Sequence, residues 1–187
     1  SLRVESANFS ARTEFKRAIQ YLMPALVRRR ILRASIALAL ALFLAFTDQF
    51  IKNLIVENFR TFEVRPFLGD VIKLTYVLND SAAFSLGFGF TGIFTLFSSV
   101  ASLALIWFIF ARSKSTSWSI MAAVLLGGVL GNLIDRLVRS PGGGLGKVVD
   151  YIQIPFNFPI FNLADIAIVS MAILAALRIM LGHSIGE

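Results

Sequence analysis

The chain has 187 residues, of which 57% are hydrophobic and 16% charged, and its mean hydropathy is +0.77. Soluble domains are roughly 45–50% apolar and about 25% charged, so a water-soluble fold is excluded and a single-domain integral membrane protein is indicated. With no cysteine, one histidine and a net charge of +7, disulfides, thiol nucleophiles and thiolate metal sites are excluded as well. His183 stands in Leu181-Gly182-His183-Ser184, which suggests neither a Ser-His-Asp triad nor a histidine metal site. The chemistry that remains is that of carboxylates, amides, hydroxyls, lysine and arginine.

Residues 1–30 are polar and mixed, and they end in Arg28-Arg29-Arg30, with Arg33 just beyond. A basic cluster beside a span faces the cytoplasm. Its expected role is orientation and attraction to lipid headgroups, not nucleic-acid binding. No cleavable signal peptide is expected, because the first apolar run is span-length and no small-residue cleavage site follows it.

Four segments are apolar over the roughly 20 residues a transmembrane helix needs. They are residues 31–55, 88–111, 117–138 and 161–181. Helices are expected, since lipid leaves the backbone few alternatives. Four spans put both termini on one side. The loop between spans two and three carries Arg112 and Lys114 and no acid, which agrees with a cytoplasmic placement.

Residues 57–85 and 139–159 then face outward. The first holds Val71-Ile72-Lys73-Leu74-Thr75-Tyr76-Val77-Leu78, rich in β-formers, after Phe67-Leu68-Gly69-Asp70, which reads as a turn. A small β-structure resting on the outer membrane face is expected. The second holds Ser140-Pro141-Gly142-Gly143-Gly144, a flexible loop that lacks the lysine and serine spacing of a phosphate-binding loop. A mostly apolar stretch, 151–159, follows it. In span three, Gly127 and Gly131 form a small-xxx-small pair. Close packing within the monomer is expected there, ahead of a dimer interface.

On this topology nearly every unusual polar residue falls at the outer rim. Asp48 and Lys52 are four apart and share a helix face. Asn132 shares a face with Asp135 and Arg136. Asn162 and Asp165 begin span four, where Asn162 fits an N-cap. Asp150 closes Gly146-Lys147-Val148-Val149-Asp150, so Asp150 and Asp165 flank one short loop. Ionisable residues at the membrane are functional candidates by default. Two carboxylates close enough to share a proton are the working parts of an aspartic hydrolase. Two other readings compete. A small transporter or channel predicts charges strung along the membrane depth, whereas these collect at one rim. A structural membrane protein with a sealed rim ion-pair cluster predicts that Asp→Asn at 150 or 165 harms folding more than activity.

These residues spell a pattern that resembles the lipoprotein signal peptidases (signal peptidase II). Asp48-Gln49-Phe50-Ile51-Lys52 is similar to the first family motif, and Asn79-Asp80-Ser81-Ala82-Ala83-Phe84-Ser85 to the second. Gly131-Asn132-Leu133-Ile134-Asp135-Arg136, Val149-Asp150 and Phe161-Asn162-Leu163-Ala164-Asp165 match the third, fourth and fifth. The five occur in the family's order, over residues 31–182. Ser81 stands where the family usually has glycine, and the loop after Arg136 is longer by residues 140–145.

The resemblance implies an all-α fold of four transmembrane helices with a small β-platform on the periplasmic face. It divides the chain into a cytoplasmic extension (1–30), the peptidase domain (31–182) and a cytoplasmic tail (183–187). It implies a multi-pass enzyme of the bacterial inner membrane with both termini cytoplasmic. That enzyme would be a monomeric aspartic endopeptidase that cuts prolipoproteins before a diacylglyceryl-cysteine, at a site near the outer face. Asp150 and Asp165 would be the catalytic pair. Asn79, Asn132, Arg136 and Asn162 would hold substrate, and Asp48, Lys52 and Asp135 would support the site. The expected partners are the lipid-modified prolipoprotein and membrane lipid. Neither a metal nor a cofactor is required, and no nucleic acid is expected.

Overall fold

A computed structural model of the chain describes residues 2–80 and 91–187, with side chains from residue 25 onward. The elements run α1 (Leu2–Asn58), β1 (Val64–Leu68), β2 (Ile72–Asn79), α2 (Thr91–Ala111), α3 (Thr116–Val138), β3 (Val148–Gln153) and α4 (Leu163–Met180). Four stretches are long and apolar enough to cross a membrane: Ala25–Asn58, Thr91–Ala111, Thr116–Val138 and Leu163–Met180. The helical spans expected from hydropathy are therefore present. Residues 88–90 of the expected second span, and residues 81–85 of the second motif, lie outside the described residues. Residues 1–30 carried no expected element, yet α1 is continuous from Leu2. At about 1.5 Å per residue it is roughly 85 Å long, far more than one bilayer.

The packing follows from small residues. Ala34, Ala37 and Ala41 lie on one face of α1, buried against Ala122, Ala123 and Leu126 of α3. The glycines of α3 allow still closer approach. A Cβ on Gly127 would fall 2.9 Å from the Ala41 carbonyl of α1, and one on Gly128 would fall 2.6 Å from the Ala164 carbonyl of α4. The small-residue pair thus serves packing within the chain. Helix α3 is the central element, touching α1, α2 and α4.

One end of the bundle is basic. Arg30 donates to the Ala111 carbonyl at the end of α2, and Arg33 donates to the carbonyls of Ser113 and Lys114. These arginines occupy carbonyls that a helix end leaves without partners. The tail joins them, since Lys114 N and Ser115 N both donate to the Gly186 carbonyl.

The other end carries a three-stranded antiparallel sheet in the order β1-β2-β3. Strand β2 coincides with the apolar run predicted to form β-structure. Strand β1 extends through Phe67 and Leu68, which were expected to begin the turn. The turn is confined to the residues after them, where Gly69 takes φ +56°. Pro66 is tolerated because β1 is an edge strand. Strand β3 was not expected. It pairs with β2 through Val77↔Asp150 and Leu78↔Val149, and Val149 and Tyr151 pack on Ile55 of α1. The sheet is thereby fixed to the top of the bundle.

Candidate active site

Two polar clusters lie side by side beneath the sheet. The first is centred on Lys52, which is fully buried. Its Nζ lies 2.8 Å from Asp48 Oδ2 and 2.8 Å from Asp135 Oδ2. It also donates to Asn132 Oδ1 at 2.9 Å. Each carboxylate is tied in turn to backbone. Asp48 Oδ1 accepts from Ala164 N at 3.1 Å, and Asp135 Oδ2 accepts from Val149 N at 3.2 Å. The cluster therefore joins α1 and α3 to the residues just before Asp165 and Asp150.

The second cluster holds those two aspartates. Asp150 is 3% exposed, on β3, and Asp165 is half-buried in the first turn of α4. Asn162 caps α4 with a reciprocal pair. Its Oδ1 accepts from Asp165 N at 3.0 Å, and its own N–H donates to Asp165 Oδ2 at 3.1 Å. This is the capping-box arrangement. The N-cap expectation is met, and the same side chain does more. Asn162 Nδ2 donates to Asp150 Oδ1 at 2.6 Å. Asn79 Nδ2, at the end of β2, donates to Asp150 Oδ2 at 2.8 Å. Asn132 Nδ2 donates to Asp165 Oδ1 at 2.8 Å. Three asparagines thus hold the two carboxylates from three elements.

The chain brings these residues together by a short return after β3. Ile152 N and Phe161 N each donate to the other's carbonyl, at 2.8 and 3.1 Å. Tyr151 Oη accepts from Leu163 N at 3.2 Å. The N-terminus of α4 is thereby pinned beside Asp150.

Burial pushes the Asp150 carboxyl up to about 6, with a further rise from the Asp165 charge, against the lowering effect of the Asn79 and Asn162 hydrogen bonds. Among the described residues, no lysine or arginine is hydrogen-bonded to either carboxylate. Asp165 also lines a cavity of about 290 Å3 with Ile154, Phe158, Phe161, Ile166 and Val169. An acid on the wall of an apolar cavity can act on a bond presented by a substrate with an apolar anchor. Among the described residues, no group of three or more His, Cys, Asp or Glu has the arrangement of a metal site.

The sequence-predicted residues fall into place unequally. Asp48, Lys52 and Asp135 converge on one point, and Asn79, Asn132 and Asn162 all touch the aspartate pair. Arg136 does not. Its Nη1 donates to the Asn132 carbonyl at 3.3 Å, and its guanidinium lies 5.9 Å from the Phe94 ring centre. Sequence reasoning missed Gln49 and Arg139. Gln49 Nε2 donates to Asp135 Oδ1 at 3.0 Å and to the Gly131 carbonyl at 2.9 Å. Arg139 Nε donates to Asp135 Oδ1 at 2.6 Å, and its Nη2 donates to Asn53 at 2.8 Å. The i, i+4 spacing of Asp135 and Arg139 was the available signal.

The fold and site define a helical membrane bundle whose rim holds two amide-bound aspartates, and comparison narrows that class. The family model described as signal peptidase (SPase) II matches residues 40–181. The lipoprotein signal peptidase of Leifsonia xyli is 46% identical over 129 residues, covering 69% of this chain and 59% of the relative. That of Streptomyces coelicolor is 40% identical, covering 76% of this chain and 69% of the relative. That of Mycobacterium avium is 35% identical, covering 83% and 82%. A bacterial membrane enzyme structure solved by the in meso method at 1.9 Å resolution superposes with a TM-score of 0.71 at 24% identity, over 80% of this chain and 95% of that one. The chain belongs to the signal peptidase II family. The match spans only about three-fifths of the length of the Leifsonia relative.

Proposed function

We propose that this chain is an aspartic endopeptidase that removes signal peptides from lipid-modified prolipoproteins, cutting the bond before the diacylglyceryl-cysteine. The observation that carries this reading is the asparagine bridge. Asn162 holds Asp150 by its side chain and Asp165 by its capping box, so two acids face one site and, among the described residues, neither is hydrogen-bonded to a lysine or arginine.

Two neighbouring carboxyls share a proton and titrate as a unit. Burial raises the Asp150 carboxyl, which suits it to hold the shared proton. Asp165, on the cavity wall, is the base. It takes a proton from water while the water oxygen attacks the scissile carbonyl carbon, and Asp150 gives its proton to the carbonyl oxygen. Asp165 then gives its proton to the cysteine nitrogen as the C–N bond breaks, and Asp150 takes back a proton from a hydroxyl of the tetrahedral intermediate, which becomes the new carboxyl group. Asn79, Asn132 and Asn162 orient the pair, and Asn79 and Arg136 face the incoming backbone. The Asp48–Lys52–Asp135 cluster holds the elements that carry the pair. The acyl chains of the substrate remain in lipid along Ile166 and Val169.

The basic end of the bundle lies in the cytoplasm with both termini, by the positive-inside rule. The site then lies at the outer face of the bacterial inner membrane, beneath the sheet. Residues 1–30 extend α1 into the cytoplasm, 31–182 form the peptidase domain, and 183–187 are a short tail. The packing of α3 glycines inside the chain supports a monomer.

The test is cleavage of a lipid-modified prolipoprotein by purified protein in detergent. Wild type cuts before the modified cysteine, and Asp150→Asn and Asp165→Asn, still folded, lose about 10^3-fold or more. Equal cleavage by all three, or no cleavage by folded wild type, overturns the reading.

A further inference from the structure

At the basic end, far from the aspartate pair, a second cavity opens between α2, α3, α4 and the tail. It has a volume of about 250 Å3, and its lining includes Phe108, Trp118, Met121, Met171, Ile179 and Ile185. The walls are apolar, but two donors at its corner have no partner among the described residues. Trp118 is 5% exposed, and its Nε1 is buried and unpaired, as is Nε of Arg178. The Arg178 guanidinium lies over the Trp118 ring, 5.3 Å from its centre. Buried donors without partners are costly, and an occupant that brings acceptor oxygens would satisfy them.

We propose that this corner is a binding site for an anionic phospholipid. Its phosphate and ester oxygens accept from Arg178 and Trp118, and an acyl chain enters the apolar cavity. Three features select this occupant. Two donors demand acceptors. The cavity walls demand a hydrocarbon chain. The local charge demands an anion, because the arginines of residues 28–33, Arg112, Lys114 and Arg178 gather at this end against one described acid, Glu187, which Lys114 already holds at 3.0 Å. A basic rim of this kind attracts acidic headgroups. The ring face keeps the guanidinium in place by cation–π contact. This inference does not depend on the peptidase reading.

The experiment is native mass spectrometry of the full chain in detergent. It is titrated with phosphatidylglycerol and, separately, with phosphatidylcholine of the same acyl chains. Wild type retains phosphatidylglycerol at about tenfold lower lipid concentration than phosphatidylcholine. Trp118→Phe weakens retention of both lipids, which share the phosphate and ester oxygens, and Arg178→Gln weakens phosphatidylglycerol by about tenfold, more than it weakens phosphatidylcholine. Arg112→Gln, exposed at the same end, leaves both unchanged. Equal retention of the two lipids in wild type overturns the proposal. So does an Arg112→Gln loss as large as that of Arg178→Gln, which marks diffuse charge rather than a site. A second copy of the chain as the bound species overturns it too. If Trp118→Phe fails to fold, Arg178→Gln against Arg112→Gln still decides the matter.

Discussion

The Lys52 cluster and the Asp150–Asp165 pair are neighbours built from the same residue types, and they are held in opposite ways. Asp48 and Asp135 are each in contact with a buried ammonium. Asp150 and Asp165 are held by neutral asparagine amides and a backbone N–H. A carboxylate in contact with a buried cation is held in place, because breaking such a pair leaves an uncompensated charge. A carboxylate held by amides can take up and release a proton. The first arrangement suits a scaffold and the second suits proton transfer.

The largest effect that would break this comparison is on activity. Asp150→Asn should abolish cleavage, by about 10^3-fold or more, and yet stabilise the protein. Asp150 holds its proton up to about 6 in the folded chain against an ordinary value of 3.8. Ionising it in place therefore opposes folding. The penalty is absent below about 3.8, grows as pH rises, and is complete above about 6, where it is on the order of 3 kcal/mol. Thermal denaturation should find Asp150→Asn more stable than wild type at pH 7.5, with the gain shrinking as pH falls through that window. No gain at pH 7.5 would mean that Asp150 is already satisfied as an anion.

Lys52→Met should do the opposite. It leaves two buried carboxylates without their cation and should destabilise by about 3–5 kcal/mol, visible as a fall in apparent Tm and in yield. Gly131→Ala comes next. A Cβ there would lie 2.5 Å from Asp48 Oδ2, so α1 and α3 must separate or Asp48 must turn, at about 1–3 kcal/mol. The same substitution leaving Tm unchanged would show that the helices have slack. Arg139→Gln should be mildest, at about 1 kcal/mol, since Gln49, Lys52 and Val149 N still hold Asp135. A much larger loss on melting Arg139→Gln would show that this arginine, not Lys52, anchors the cluster.

Much of this was legible in the sequence because membrane constraints are strict. Long apolar runs had to be helices, and polar residues at their rims had to meet partners. The Asp48–Lys52 pair followed from i, i+4 spacing. The Asn162 cap followed from its place before an apolar run. What spacing could not reveal is what happens between elements. Lys52 reaches across to α3, where Asp135 and Asn132 share it with Asp48. Asn162 serves both aspartates because the return from Ile152 to Phe161 sets the register of β3. Strand β3 was hidden because Val148–Gln153 is short and gains its partner, β2, only from a distant part of the chain. The hydrogen bond from Arg136 to the Asn132 carbonyl, one turn back on its own helix, was another contact that the motif did not reveal.

The central claim is that amide-held carboxylates work while ion-paired ones support. The most direct measurement sets Asp165→Asn beside Asp135→Asn, reading prolipoprotein cleavage and apparent Tm on the same samples. The account predicts an Asp165→Asn protein that melts close to wild type and does not cleave. It predicts an Asp135→Asn protein that melts lower while its folded fraction still cleaves. Wild-type cleavage by Asp165→Asn, or a silent Asp135→Asn with an unchanged Tm, would contradict it.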